Sequence, residues 1–132
     1  MAALKQRLQR LGVPNSHFTV ATIDGWALRI AQMFPASCDI RATPDNPRVF
    51  YQELRRKVHS YVSSGHIAEI IILSYSRLLV DEYQDCDADQ HALICSLSDI
   101  LPTIVFGDPM QCIFNFGGPM PHWDNDVKSR FP

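Results

Sequence analysis

The sequence predicts an α/β domain built around a parallel β-sheet, and two short apolar runs carry this prediction. Residues 78–80 (Leu-Leu-Val) stop at 81–85 (Asp-Glu-Tyr-Gln-Asp), and residues 104–106 (Ile-Val-Phe) stop at 107–108 (Gly-Asp). Apolar runs of this length, bounded by turn residues, are typical of fully buried strands in a parallel sheet. Ligands bind just beyond the carboxyl ends of such strands, so we expect the acidic and amide side chains after both runs to form a site.

The composition is that of one ordinary globular domain. The chain has 132 residues, of which 46% are hydrophobic and 20% are charged, and its formal net charge is −2. This balance gives no basic footprint of the kind that a free-standing nucleic-acid-binding protein carries. Any contact with DNA is therefore expected to be local.

The cysteines and the apolar stretches argue against several other classes of protein. Cys38, Cys86, Cys95 and Cys112 show no Cys-x-x-Cys spacing, so neither a zinc site nor a disulfide framework is indicated. A reducing, cytoplasmic setting is the simplest expectation. The longest apolar stretch, at residues 70–73, is far too short to span a membrane.

The first 34 residues predict two helices with a short strand between them. Leu4, Leu8 and Leu11 recur at helical spacing, which indicates an amphipathic helix that ends at Gly12. Residues 18–21 (Phe-Thr-Val-Ala) are a strand candidate, and a second helix follows with Asp24 available as its N-cap. The predicted buried face of this helix consists of Ile23, Ala27, Ile30, Ala31 and Phe34.

The middle of the chain predicts a loop and then a long helix. Residues 35–47 are rich in Pro, Asp, Asn and Ser, and Asn46 is placed to cap a helix that has Pro47 at its first position. Its predicted buried face consists of Phe50, Leu54, Val58 and Tyr61. Its basic residues are Arg48, Arg55, Arg56, Lys57 and His59. We favour a solvated face over a DNA-facing one, because runs of charge are usually solvated.

Two further elements surround the first apolar run. The sequence 63–65 (Ser-Ser-Gly) ends the long helix, and residues 67–73 predict either a helical turn or a short strand. After the run, Asp87 and Gln90 form a capping-box pattern that starts another helix. That helix is expected to face the sheet through Leu93, Ile94 and Leu97.

The first acidic cluster suggests metal-nucleotide chemistry. A carboxylate at the end of a strand can hold Mg²⁺ directly or through water, and its neighbour can orient an attacking water molecule. Asp81 and Glu82 fit these two roles, in the manner of a Walker B strand.

The extended pattern around both runs resembles motifs II and III of superfamily 1 DNA helicases of the UvrD/Rep type. Residues 80–85 (Val-Asp-Glu-Tyr-Gln-Asp), followed by Gln90, carry the resemblance to motif II. Residues 106–118, which include Gly-Asp-Pro-Met-Gln at 107–111, carry the resemblance to motif III. Residues 22–26 (Thr-Ile-Asp-Gly-Trp) are similar to motif Ib. The resemblance implies a RecA-like P-loop NTPase motor domain that uses ATP and Mg²⁺ and acts on single-stranded DNA.

The same resemblance implies a role for each site residue. Asp81 would hold Mg²⁺, Glu82 would activate the water, and Gln111 would sense the γ-phosphate, with Asp108 beside them in the nucleotide site. Thr22 would touch the DNA backbone. Phe114 and Phe116 would stack on bases, a contact that needs no sequence readout.

The chain departs from the family pattern at several positions. Asp24 stands where motif Ib usually has His, which weakens the case for phosphate contact there, and Cys112 replaces the common Ser of motif III. Residues 117–118 (Gly-Gly) replace the usual Arg-Gly, so one Arg contact is lost. The interval between motif Ib and motif II is short, and we expect the subdomain that grips duplex DNA in large members to be reduced to a helix or two.

No Walker A loop is present in the sequence. The pattern requires a glycine followed by Lys, and none of the six glycines is followed by Lys. We therefore expect an incomplete first motor domain, without its first strand and Walker A loop, that is inactive as an isolated chain. The expected parts are the motif Ib region (1–34), a shortened insertion (35–75), motifs II and III (76–118) and an exit segment (119–132). The expected partners are single-stranded DNA and the remainder of the helicase, with no membrane.

Two other classes of function stay open. A non-catalytic module descended from a helicase could bind DNA or a partner, although such a module has less reason to keep the Asp81–Glu82 pair. A metal-dependent phosphoesterase could use Asp81, Glu82, Asp85 and Asp108 around Mg²⁺. It lacks the second carboxylate or His cluster that two-metal sites usually have, so we rank it last.

Overall fold

The computed structural model describes residues 1–111 and 119–132, which are mostly helical with a small parallel sheet. The helices are α1 (Ala2–Arg10), α2 (Ile23–Met33), α3 (Pro35–Cys38), α4 (Pro47–Ser63), α5 (Ala68–Ser74), α6 (Ala88–Ser98) and α7 (Lys128–Arg130), and the strands are β1 (Leu78–Val80) and β2 (Thr103–Val105). Short 3-10 turns lie at Asn15–His17, Tyr83–Asp85 and Pro109–Gln111, and a π-helical turn at Trp123–Val127 leads into α7. Within the described ranges, no helix combines the length and the hydrophobicity that a membrane crossing requires.

The two strands pair in parallel, as predicted, with α6 as the helix that connects them. Leu78 lies opposite Thr103, Leu79 opposite Ile104, and Val80 opposite Val105. The prediction that both strands are fully buried is wrong. Val80 is 6% exposed, but Leu79 and Ile104 on the other face are 59% and 50% exposed, because the helices cover one face of the sheet only.

The hydrophobic core lies among three helices and the covered face of the sheet. Helix α4 packs against both α2 and α6. The buried side chains include Ala27, Ile30 and Ala31 of α2, Leu54, Val58 and Val62 of α4, and Leu93, Ile94 and Leu97 of α6. The predicted buried faces of these three helices are thus confirmed at their centres, while Ile23, Phe34, Phe50 and Tyr61 pack at the margin of the core.

The N-caps of α4 and α6 are those predicted, whereas the N-cap of α2 is a different residue. Asn46 caps α4 by accepting a hydrogen bond from the Val49 backbone N–H, and Asp87 and Gln90 form the full capping box of α6. The N-cap of α2 is Thr22 and not Asp24, because the Thr22 hydroxyl accepts from the Gly25 N–H at 2.9 Å. The Asp24 side chain makes a different contact, which is described below.

Three local predictions are settled by the backbone. Residues 18–21 are extended at Phe18 but form no strand, because no described residue pairs with them in a ladder. The predicted loop from 35 contains the short helix α3, whose first residue is Pro35. Between the two alternatives for residues 67–73, the helix is correct.

The two ends of the chain pack differently. Helix α1 forms as predicted, but none of its residues is buried, and Leu4 and Leu11 are exposed. At the other end, residues 119–132 fold back on the domain. Val127 is buried, and the Phe131 ring meets the Tyr83 ring edge-on with centroids 5.7 Å apart. The last residues therefore support the segment that follows β1.

Candidate functional site

The candidate site lies at the carboxyl ends of β1 and β2, where the backbone pairing continues past both strands. The Phe106 N–H donates to the Val80 carbonyl at 2.7 Å, and the Tyr83 N–H donates to the Phe106 carbonyl at 2.9 Å. These two bonds bring residues 81–85 beside residues 106–108. The two polar clusters that the sequence places after the strands therefore meet at one edge of the sheet.

Glu82 has an unusual backbone conformation within this site. Its φ of 52° and ψ of 42° place it in the left-handed region, which few residues other than glycine adopt. Asp81 supports this turn, because its Oδ1 accepts the Glu82 N–H at 2.9 Å. Tyr83 follows as one of the most deeply buried side chains and anchors the turn in the core. Asp81 and Glu82 themselves are exposed to solvent.

The side chain of Gln84 connects the two halves of the site. It is 6% exposed, and its Nε2 donates to Glu82 Oε2 at 2.5 Å. Its Oε1 accepts the backbone N–H of Asp108 at 3.0 Å. Gly107 leaves room for this contact, since a Cβ there would lie 2.8 Å from Gln84 Oε1 and 2.9 Å from Cη2 of Trp123.

Asp108 extends the network to Gln111. Its Oδ1 accepts the Met110 N–H at 2.9 Å, and its Oδ2 accepts from Gln111 Nε2 at 3.3 Å. A continuous chain of hydrogen bonds thus runs from Asp81 through Glu82, Gln84 and Asp108 to Gln111. We call this chain of five residues the strand-end network. It brings together four predicted site residues, namely Asp81, Glu82, Asp108 and Gln111.

The remaining predicted site residues lie elsewhere. Thr22 is exposed at the start of α2, and its hydroxyl is used there as the helix cap. No hydrogen bond among the described residues joins Thr22 directly to the strand-end network. Phe114 and Phe116 lie outside the described residues, as do Cys112 and the Gly-Gly pair at 117–118.

The carboxylates of the strand-end network fit a magnesium-nucleotide site but not a site in which several carboxylates surround the metal. Within residues 1–111 and 119–132, no group of three or more His, Cys, Asp or Glu side chains is placed to hold a metal ion. The carboxylate cage that a phosphoesterase would need at Asp81, Glu82, Asp85 and Asp108 is therefore not supported. Mg²⁺ in nucleotide sites is commonly held by one or two carboxylates together with waters and phosphate oxygens. The exposed pair of Asp81 and Glu82 fits that requirement.

A second polar cluster lies between the helices that flank the site. The Arg55 guanidinium donates to both carboxylate oxygens of Asp24, from Nε at 2.7 Å and from Nη2 at 2.6 Å. Its Nη1 donates to Asp87 Oδ2 at 2.6 Å. The hydrogen bonds and charge of Asp24 raise the pKa of Arg55. Arg55 therefore ties α2, α4 and α6 together, and it is not a free member of the basic face.

A third cluster joins motif II to α6 and to the last residues of the chain. The Tyr83 hydroxyl and His91 Nδ1 are 2.7 Å apart, and His91 Nε2 lies 3.5 Å from Cys95 Sγ. Burial raises the pKa of the Tyr83 phenol and lowers the pKa of His91. Burial also raises the pKa of the Cys86 thiol to about 12, and that of Cys95 in the same direction. Burial therefore favours the neutral thiol form of both cysteines.

Sequence reasoning assigned no role to Gln84 or to the pairing of Arg55 with Asp24. Gln84 lies 24 residues from the Asp108 N–H that it accepts, and Arg55 lies 31 residues from Asp24. Neither separation corresponds to a helical or a strand period. The one signal in the sequence was local, because Gln84 is the only amide in the acidic run at residues 81–85.

Comparison with known proteins agrees with this arrangement. Residues 51–132 match the family described as the UvrD/REP helicase N-terminal domain. The chain belongs to this family. The region of the UvrD/REP helicase domain that matches contains both strands and the whole strand-end network. The resemblance inferred from motifs II and III is therefore confirmed.

One relative and the solved structures define how far the comparison extends. A stretch of 55 residues is 40% identical to the Gabija protein GajB of Bacillus cereus (strain VD045). The aligned stretch covers 40% of this chain and 11% of GajB, so the chain corresponds to a small part of that relative. No solved structure matches the chain.

Proposed function

We propose that this chain is part of the ATP-hydrolysing motor of a UvrD-like DNA helicase, with the strand-end network as its nucleotide site. The observation that carries the proposal is the unbroken hydrogen-bond path from Asp81 to Gln111 at the carboxyl ends of two parallel strands. Ligands of open α/β sheets bind at this position. Membership of the UvrD/REP helicase family supports ATP as that ligand.

Each residue of the network has a chemical role in this proposal. Asp81 would hold Mg²⁺, which when bound would supply charge neutralisation for the phosphates of the nucleotide. Glu82 accepts a proton from the attacking water, for which its carboxylate must be both solvent-accessible and fixed in direction. Its exposure and its contact with Gln84 meet those two requirements. Gln111, held through Asp108, contacts the γ-phosphate.

The DNA-binding part of the proposal rests on Thr22, Phe114 and Phe116. Phe114 and Phe116 follow Gln111 closely in sequence, so a nucleotide-dependent shift of Gln111 would move them. Stacking of a base on an aromatic ring contributes about 1–3 kcal/mol and is independent of sequence. Thr22 would donate its hydroxyl hydrogen to a backbone phosphate, a role that is compatible with its hydroxyl oxygen accepting from the Gly25 N–H.

The sheet itself supports the proposal that further parts of a RecA-like motor complete this domain. Leu79, Ile104 and Phe106 leave an apolar face exposed to solvent. In a sheet of parallel strands both faces are normally covered, and each edge needs a partner or protection. We propose that the remainder of the helicase covers this face and supplies the Walker A loop. The isolated chain is then expected to hydrolyse ATP only at background rates.

Substitution of the proposed base tests this function. In the native polypeptide that contains this chain, Glu82→Gln should lower the kcat of ATP hydrolysis by about 10²–10⁴-fold, because it removes the proton acceptor. ATP binding should stay within about twofold of wild type, since the amide keeps the size of the side chain. The matched control is Glu69→Gln, an exposed glutamate on α5. Turnover that survives in Glu82→Gln would show that Glu82 is not the base.

A non-catalytic module that binds DNA or a partner protein is the second candidate, because a separate partner protein would cover the exposed sheet face equally well. Its discriminating measurement is the intact mass of the native product in its source cells. A much larger product with a glycine-rich Lys loop supports the motor. A product near 15.0 kDa supports the binding module.

A further inference from the structure

We propose that Gln84 is a positioning residue that fixes the carboxylate of Glu82 and couples it to the backbone of Asp108. This inference rests on the proposed function, in which Glu82 is the proton acceptor. Gln84 makes no contact that would bind a nucleotide directly, and its side chain is directed into the protein. It would therefore act through Glu82 and not on the substrate.

The two ends of the Gln84 amide are matched to two different partners. A carboxylate oxygen can only accept a hydrogen bond, and a backbone N–H can only donate one. The amide nitrogen therefore has to face Glu82, and the amide oxygen has to face the Asp108 N–H. A flipped amide would place oxygen against oxygen and N–H against N–H. One orientation of the side chain is thus strongly preferred.

The surroundings of Gln84 prevent the amide from leaving this position. It is buried, so a rotamer that broke either bond would leave a polar group without a partner, at a cost of about 1–3 kcal/mol. Gly107 lies so close that even a methyl group there would press on Gln84 Oε1 at 2.8 Å. Trp123 closes the same space from the segment after motif III. The amide is therefore held between motif II and motif III.

The position of Gln84 affects the reaction in two ways. Its hydrogen bond occupies Oε2 of Glu82, which leaves the other carboxylate oxygen to accept the proton from water. Its second bond makes Glu82 follow any displacement of the Asp108 backbone, and Asp108 in turn holds Gln111. Loss of Gln84 should therefore slow the chemical step and spare nucleotide affinity.

Two substitutions separate positioning from simple structural support. Gln84→Met keeps the length of the side chain but removes both hydrogen bonds. Gln84→Glu keeps the acceptor for the Asp108 N–H but places a carboxylate against Glu82. In the native polypeptide both should lower the kcat of ATP hydrolysis about 10- to 100-fold, with the Kd for ATP within about twofold of wild type. The control is Gln52→Met, an exposed glutamine on α4 that should leave kcat unchanged.

A second readout does not depend on turnover. Hydrogen exchange of the Asp108 amide in the 132-residue chain should become faster in Gln84→Met, which removes its acceptor, and stay near the wild-type rate in Gln84→Glu. A purely structural role would change amide exchange and kcat together in both variants, and that result would overturn the proposal. So would a wild-type kcat for both variants in a polypeptide that Glu82→Gln inactivates. Full turnover in Glu82→Gln would instead defeat the proposed function itself.

Discussion

At the scale of single residues, the close packing of the candidate site depends on Gly107, where a Cβ atom would clash with its neighbours. Gly107 is not needed for an unusual backbone angle but for the close approach of three groups. A Cβ added there would lie 2.8 Å from Gln84 Oε1, 2.9 Å from the Trp123 ring and 3.1 Å from the Tyr83 backbone nitrogen. The last of these belongs to the backbone and cannot swing away. The hydrogen bond between Tyr83 and Phe106 keeps that backbone in place.

Substitution of Gly107 by Ala should therefore destabilise the domain by about 1–3 kcal/mol, as overpacking of a tight site does. The measurement is the free energy of unfolding from urea denaturation of the full chain. Ser76→Ala serves as the control, because Ser76 is exposed in the loop before β1 and should change stability by less than about 0.5 kcal/mol. Equal stability of the Gly107→Ala protein and the wild type would contradict the close packing described here.

At the scale of elements, a partly buried arginine connects three helices. Arg55, whose side chain is 19% exposed, contacts Asp24 and Asp87. The side chains of these two partners are 24% and 16% exposed, respectively. Charges in such surroundings are stable when paired, and removal of one partner leaves the others uncompensated. Arg56, the next residue on α4, is 63% exposed and lies 3.5 Å from Asp89. Arg55 and Arg56 therefore allow a direct comparison between a partly buried ion pair and an exposed one.

We expect Arg55→Met to cost about 3 kcal/mol in unfolding free energy, because it leaves Asp24 and Asp87 facing each other across the helix interface. Arg56→Met should cost less than about 1 kcal/mol, as is usual for exposed ion pairs. Thermal and urea unfolding of both variants provide the comparison. If the two substitutions had the same small effect, the cluster would not hold the helices together.

The elements also show what the sequence could and could not predict. Helical spacing located the buried faces of α2, α4 and α6, because the period of apolar residues reports directly which side faces a core. Local pattern failed at the start of α2, where Thr22 and Asp24 are both plausible caps. The choice between them was decided by Arg55, which engages Asp24 from α4. A contact of that kind depends on how helices pack, and no local rule contains it.

At the scale of the whole molecule, the parallel pairing and the position of the site were predictable, and the burial of the sheet was not. Polar residues after two apolar runs were sufficient to place Asp81, Glu82, Asp108 and Gln111 at one edge. The apolar runs alone imply that both faces of the sheet are covered. In the structure the covered face is that of Val80, while Leu79, Ile104 and Phe106 face solvent. Burial depends on what packs against an element, which the element's own sequence does not specify.

The uncovered face should make the isolated chain associate with itself. Contiguous exposed apolar side chains are poorly tolerated in monomeric proteins. Leu79→Thr combined with Ile104→Thr keeps strand propensity while it lowers the apolar area, so we expect more monomer in sedimentation velocity at the same concentration. Met33→Thr is the control, since Met33 is exposed on α2 away from the sheet. Identical sedimentation of the double variant and the wild type would argue against association through this face.

The pairing of Arg55 with Asp24 has an evolutionary consequence. The motif Ib that residues 22–26 resemble usually has His at the position of Asp24, and a histidine cannot accept the two parallel hydrogen bonds that the guanidinium donates here. Loss of Asp24 alone would leave Arg55 paired with Asp87, but loss of Arg55 alone would leave both carboxylates uncompensated, so we expect substitutions at positions 24 and 55 to be coupled. Positions 24 and 55 should therefore covary among homologues.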